Sequence, residues 1–223
     1  MQVHSKTAVL LFAESAHRQA QRKSLVEDDS QNWQLFNSFL IRKLKAVKKT
    51  GLDVHHFDEV KQRGESFGER IASAVQEVFQ QGYERVIVVG GDCPDVKAKD
   101  ILGVNELLRS RDLVLGPDLR GGVYLIGLHR SKFEKQRFEA LAWQSEHLRS
   151  SFMHYIDTLQ SAVHWLAPKA DFNTAQDINN YWRLSTAIRS ILMQLTTCLD
   201  QRIFERLVLN LGLSVLSIDR RGP

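Results

Sequence analysis

The chain has 223 residues, of which 43% are hydrophobic and 25% charged, proportions of a folded globular protein rather than a disordered, collagen-like or coiled-coil chain. Its two cysteines, Cys93 and Cys198, give neither a disulfide framework nor zinc-ligand spacing, which suits the reducing cytoplasm expected for it. The formal charge of +4 is spread along the chain and no aromatic-interleaved basic motif accompanies it, so a nucleic-acid partner is not expected.

In chain order, Thr7–Phe12 reads as the first strand, and its apolar run is far too short for a bilayer, which takes roughly 20 residues. The next segment lacks clear periodicity and carries Arg18, Arg22 and Lys23. Trp33, Phe36, Leu40, Leu44 and Val47 recur at spacings of three and four, the apolar face of a helix. Arg42, Lys43, Lys45, Lys48 and Lys49 are then expected on its solvated face. A strand over Leu52–Phe57 follows, on which His55 and His56 point to opposite faces. Phe67, Ile71, Ala74, Val75, Val78 and Phe79 mark a second helix, ended by Gly82. Val86-Ile87-Val88-Val89 is apolar throughout, which places the strand Arg85–Val89 in the middle of a sheet covered on both faces. A helix over Lys99–Ser110, strands over Leu113–Leu115 and Val123–Gly127, a helix over Ser145–Leu159 and a strand over Ala162–Leu166 continue the alternation. The pattern predicts an α/β fold, a three-layer sandwich with a mostly parallel central sheet. After Ile178, Ala187, Ile188, Ile191, Leu192, Leu195 and Leu199 mark a further amphipathic helix, and Phe204, Leu207, Val208 and Leu211 another. The expected organisation is a domain over 1–178 and a helical extension over 179–223, packed on that domain or on a second copy as a homodimer.

Ligands of open parallel sheets sit at the carboxyl ends of the strands. There the chain places Gly90-Gly91-Asp92-Cys93-Pro94-Asp95, two glycines that admit close approach and two carboxylates suited to a hard cation such as Mg²⁺ or Mn²⁺. Asp92 is the candidate ligand-contacting residue, whereas Asp95 is expected to cap the following helix. Cys93 is read as a small buried thiol. A second glycine-rich exit, Gly116-Pro117-Asp118-Leu119-Arg120-Gly121-Gly122, suggests a cleft shared with the first. In Asp171-Phe172-Asn173-Thr174-Ala175-Gln176-Asp177, Asn173 or Thr174 makes a helix cap reciprocated by Gln176 or Asp177, and Asp171 is a further candidate metal carboxylate. No dinucleotide fingerprint, P-loop or nucleophile elbow is present.

In this order the motifs resemble those of the small nucleotide-diphospho-sugar transferase-like family with the glycosyltransferase-A fold. Its pieces are Gly68-Glu69-Arg70, Gly90 to Asp95, Gly116-Pro117 through Gly121 to Leu128, Trp143 with Ser145-Glu146, and Asn173-Thr174 through Asp177-Ile178. The resemblance implies a nucleotide or nucleotide-sugar pocket with a divalent metal at the strand exit. It assigns Asp92 to the metal or diphosphate, Arg22 and Lys23 to phosphates, Gly90 and Gly91 to close approach, and Gly121 and Gly122 to the acceptor-side wall. The chain also departs from the family pattern. The glycine-containing phosphate element after the first strand reads Ala20-Gln21-Arg22-Lys23-Ser24-Leu25, the acidic residue before the glycine pair is Arg120, and the late acidic position is Asn173. Two expectations follow: Arg120 stabilises a leaving diphosphate in place of a metal, or the fold persists as a non-catalytic ligand- or protein-binding module.

Overall fold

The computed structural model describes residues 7–182 of the chain. The helices expected after residue 182, the dimer they would form and Cys198 lie outside the described residues. Those residues fall into two compact units, one of 7–15 with 39–171 and one of 16–38 with 172–182.

The larger unit holds a six-stranded sheet of β1 (Thr7–Phe12), β2 (Asp53–Phe57), β3 (Arg85–Gly90), β4 (Leu113–Pro117), β5 (Val123–His129) and β6 (Val163–Trp165). The strand order is β2-β1-β3-β5-β4-β6. β1 pairs in parallel with β2 and β3, and β4 with β6, while β5 runs antiparallel to both β3 and β4. One reversed strand therefore sits inside an otherwise parallel sheet. Its amino end shares an edge with the carboxyl ends of the other five.

Alternate residues of the strands feed two cores, as the pleat requires. Leu10, Phe12, Val86, Val88, Leu115 and Ile126 join the cluster under α3 (Phe67–Gln80), α5 (Lys135–Glu139) and α6 (Leu148–Thr158). Val9, Leu11, Ile87, Val89, Val114 and Leu125 join the cluster that contains Val47 of α2 (Asp29–Lys48) and Ile101 and Val104 of α4 (Ala98–Leu107). Helix, sheet and helix make the three layers expected from the alternating pattern. The short helix α5 was not foreshadowed by periodicity, and the helix expected from Ser145 starts at Leu148.

Two pieces of the sequence pattern turn out to be packing devices. Trp143 lies against Phe67, Phe138 and Phe152, with ring centroids 5.5, 5.2 and 5.6 Å away, and its indole N–H donates to the Phe138 carbonyl at 2.9 Å. Gly68 is where α3 meets this cluster, since an added Cβ would run into the Glu139 carbonyl and come within 2.8 Å of Trp143 Cδ1. Glu69 completes a capping box with Ser66 at the start of α3.

The smaller unit contains α1 (Ala16–Arg22), the first part of α2 as far as Ser38, and α7 (Ala175–Trp182). Its turn is held by the buried Asn32, whose side chain accepts from the Leu25 N–H and donates to the Ala20 and Lys23 carbonyls.

On α2 the buried residues are Asn32, Leu35, Phe36, Phe39, Lys43 and Val47. Trp33, expected on the apolar face, is 42% exposed, and Lys43, expected in solvent, is 2% exposed. The buried stripe is thus turned about the helix axis from the one read in the sequence. The reason is that two of its positions are polar.

Glycine substitutions separate close packing from helix propensity. Gly68→Ala is expected to lower the unfolding free energy by about 1–3 kcal/mol through overpacking. Gly103→Ala on α4, where an added Cβ meets nothing within 4 Å, is expected to raise it by about 0.5–1 kcal/mol. Urea denaturation of the two variants checks both signs.

Candidate functional site

Because β5 is reversed, the segment after β3 and the β4–β5 turn leave the sheet at one edge. Val89 pairs with Leu125, so Gly90 and Gly91 emerge beside the first residues of β5, and a Cβ on Gly90 would lie 3.6 Å from the Tyr124 carbonyl. Gly90, Gly91 and Asp92 are all half-buried, and Cys93 is 1% exposed. Both glycine-rich segments therefore leave the sheet at the same edge.

The β4–β5 turn is organised by Asp118. Its carboxylate accepts from the Arg120 and Gly122 N–H groups, both at 2.7 Å, and its own N–H donates to the Gly122 carbonyl. Gly121 has φ +94°, a conformation that favours glycine, and a Cβ on Gly122 would collide with the Asp118 carboxylate. Gly121 is thus required by the backbone and Gly122 by the room that the Asp118 carboxylate takes. Arg120 is exposed at the tip of this turn.

Beneath the Gly90–Asp95 segment lies a group that periodicity had assigned to solvent. The buried Lys43 ammonium donates to the Cys93 carbonyl, close enough to Asp92 and Asp95 to feel their charges. Burial pulls its pKa down from 10.5 to about 8, partly offset by Cys93, Asp92 and Asp95. From the β6 side, Lys169 donates to the Asp95 carbonyl at 3.0 Å and to Asp100 Oδ2 at 2.7 Å, and it lies 5.7 Å from the centre of the Tyr124 ring. Burial pushes the Tyr124 phenol up to about 12, and its hydroxyl donates to the Ala167 carbonyl. Burial likewise raises the Cys93 thiol, which supports the reading of a buried thiol over a nucleophile.

Asp95 does not cap the next helix, as had been expected. The cap of α4 is Lys97, whose N–H donates to Asp100 Oδ2 at 2.8 Å, so the reciprocal carboxylate comes from inside the helix. Asp95 Oδ1 is buried with no hydrogen-bond partner.

The remaining candidates are more dispersed. Asp171 is half-buried beyond β6, two residues after Lys169, whose N–H bonds the Pro117 carbonyl. Arg22 ends α1 and is exposed, and Lys23 is half-buried; both belong to the smaller unit. In that unit Asp177 accepts from the Asn173 and Thr174 N–H groups and from the Thr174 hydroxyl, the reciprocal half of the expected helix cap. A further contact went unread in the sequence. Glu59, just after β2, takes both the N–H and the hydroxyl of Ser15, just after β1. Residues 44 apart, just beyond the ends of neighbouring parallel strands, give no local signal of such a contact.

As to metal, no three His, Cys, Asp or Glu side chains among the described residues are placed to hold an ion. A cation at this edge would have to take most of its oxygens from water and from a ligand such as a diphosphate. No helix among the described residues is long and apolar enough to cross a membrane.

A model of the DUF2064 family, described as uncharacterized protein conserved in bacteria, matches residues 9–145. No curated protein matches the chain. Among solved structures, a candidate nucleotide-diphospho-sugar transferase from Desulfovibrio desulfuricans G20 is 21% identical, with a TM-score of 0.75, over 91% of this chain and 98% of that one. A hypothetical transferase from Thermus thermophilus is 16% identical, TM-score 0.50, over 78% and 100% of the two chains. The 4-diphosphocytidyl-2C-methyl-D-erythritol synthase of Anaerococcus prevotii DSM 20548 is 10% identical, TM-score 0.50, over 79% and 98%. At these identities the likeness is one of fold, that of the nucleotide-diphospho-sugar transferases.

The buried lysine makes a signed prediction. Its folded pKa of about 8 lies below the unfolded value of 10.5, so between the two the unfolded chain holds a proton that the folded chain has released. Raising the pH through that window then favours folding, by about 3 kcal/mol in total. Urea denaturation of wild type and Lys43→Met across pH 7 to 11 is expected to show their stability difference shifting towards wild type by about that amount. A difference that stays flat would contradict a buried, protonatable Lys43.

Proposed function

The chain belongs to the DUF2064 family of bacterial proteins, and from that premise we propose that it receives the diphosphate of a nucleotide or nucleotide sugar at the carboxyl edge of its sheet and serves glycosyl or nucleotidyl transfer. The observation that carries this reading is the convergence of Gly90-Gly91-Asp92 with Arg120-Gly121-Gly122 on one edge, brought about by the reversed β5. Glycine at the exit of β3 leaves room for phosphate oxygens against the backbone. Asp92 is the residue to hold Mg²⁺ or Mn²⁺, with Asp171 as a second candidate carboxylate. Such an ion would neutralise charge on the diphosphate as it leaves.

The chain's own groups take the other roles. Arg120, at the tip of the turn, is suited to stabilise charge on the departing diphosphate. In transfer, an acceptor oxygen forms the new bond to the sugar carbon or the phosphorus as the bond to the leaving phosphate breaks, and the acceptor proton passes to solvent or a base. Most of the acceleration would come from alignment and charge.

A second reading, binding without catalysis, is favoured by the positions where the chain departs from its family. Arg120 stands where the resemblance places an acid, the stretch Ala20–Leu25 lacks the glycine of the phosphate element, and Asn173 stands at the late acidic position with its N–H bonded to Asp177.

Thermal unfolding with CTP or UDP-glucose, each with and without Mn²⁺, tests the first reading. At a ligand concentration about 100 times Kd, the expected stabilisation is about 2.7 kcal/mol, or roughly 5–10 °C in Tm. Asp92→Asn is expected to abolish the metal-dependent part of the shift. A variant that keeps this part in full removes the role given to Asp92, and no shift with any of the ligands rejects the nucleotide site.

A further inference from the structure

Two lysines meet the main chain of the Gly90–Asp95 segment from within the protein. Lys43 comes from α2, four residues beyond Phe39 and four before Val47, and is itself 2% exposed. Its ammonium is bonded to the Cys93 carbonyl. Lys169 comes from the chain after β6, and its ammonium bridges the Asp95 carbonyl and the Asp100 carboxylate. The two lysines are 126 positions apart in sequence, yet they take carbonyls two residues apart in one segment. The Cys93 carbonyl belongs to the peptide preceding Pro94, a unit with no N–H to anchor it on the other side. Its orientation therefore depends on what its oxygen meets. Asp92 is the residue immediately before this anchored stretch.

We propose that Lys43 and Lys169 are positioning residues, two internal ammonium struts that set the path of the segment after β3 and with it the place of the Asp92 carboxylate. Each strut has an energetic reason to persist. A buried ammonium without oxygen partners is severely penalised, so Lys43 holds the carbonyl as firmly as the carbonyl holds it. Lys169 also ties the segment to Asp100, which closes the first turn of α4 by accepting the Lys97 N–H. The loop, α2, α4 and the β6 exit are coupled through these two groups. Its consequence for ligand binding rests on the function proposed above; the positioning itself does not.

Cys93 offers a readout that needs no ligand, because its thiol is buried within the anchored segment. In a Cys198→Ser background it is the sole thiol of the full chain, and its reaction with Ellman's reagent reports local opening. Losing a hydrogen bond from a charged donor should raise the opening equilibrium about tenfold or more, so Lys43→Met and Lys169→Met are each expected to speed labelling by about that factor beyond what their global unfolding free energies account for. Lys169→Arg, which keeps a cationic donor, is expected to restore the parent rate. Val78→Ala, a core truncation on the other face of the sheet, is expected to speed labelling only as far as it lowers global stability. A carbonyl ¹³C signal adds a local signature: the Asp95 resonance, read through the Val96 amide, is expected to move in Lys169→Met and not in Val78→Ala. Labelling that follows global stability in every variant, or an Asp95 carbonyl signal indifferent to loss of Lys169, overturns the proposal. Because no nucleotide enters these measurements, failure to bind nucleotide and failure of the struts give separate results.

Discussion

Taking the Lys43 ammonium out of water would cost several kcal/mol unless oxygen atoms replaced its hydration, and the segment after β3 supplies them. The Cys93 carbonyl accepts its proton, and Asp92 and Asp95 add negative charge nearby. This interaction works in both directions. It keeps a lysine inside the helix–sheet layer, and it gives the exit loop a fixed internal partner. Loops at functional edges need such fixing, because a group displaced by a fraction of an ångström loses much of its effect on a reacting atom.

The direction of β5 does for the sheet what the lysines do for the loop. An all-parallel arrangement would send the connection after β4 around to the opposite edge by a crossover. With β5 reversed and inserted between β3 and β4, a tight turn brings the chain straight back. Asp118 holds that turn with two N–H bonds, and Arg120 rides at its tip. The edge consequently gathers chain from five strand exits and one strand entry. Glu59 and Ser15 cross-link the exits of β2 and β1 on the same side, so the rim is pinned at both flanks.

The strands were legible because apolar runs such as Val86–Val89 have one physical explanation, burial on both faces. Their order and the reversal of β5 were not legible, since pairing depends on contacts between residues distant in sequence. The site was half legible. Gly90-Gly91-Asp92 announces itself by composition at a strand exit, but Lys43 was hidden by its neighbours. Arg42, Lys45, Lys48 and Lys49 make it look like one cation among many, and a periodicity count built on apolar residues skips it. The signal was nevertheless there: Asn32, Phe36, Phe39, Lys43 and Val47 follow one another at helical spacing, and only the assumption that a stripe must be apolar throughout concealed it. Asp95 was misread for the converse reason. A carboxylate before a helix suggests a cap, but the helix begins three residues later and closes on Asp100.

These charges also bear on what the edge can bind. Asp92, Asp95 and Asp100 bring three carboxylates to the region, and Lys43 and Lys169 bring two ammonium groups, the second paired directly with Asp100. The balance leaves about one negative charge, on a short segment whose carbonyls are engaged inward. A resident divalent ion wants more anionic oxygen than that, usually six ligands or more, whereas a cation already partnered by a diphosphate needs only one or two from the protein. The internal lysines therefore do more than hold a loop in place. With Asp100 answered by Lys169, the small net charge that remains favours, under the function proposed above, a cation that arrives with its phosphate ligand over one held permanently.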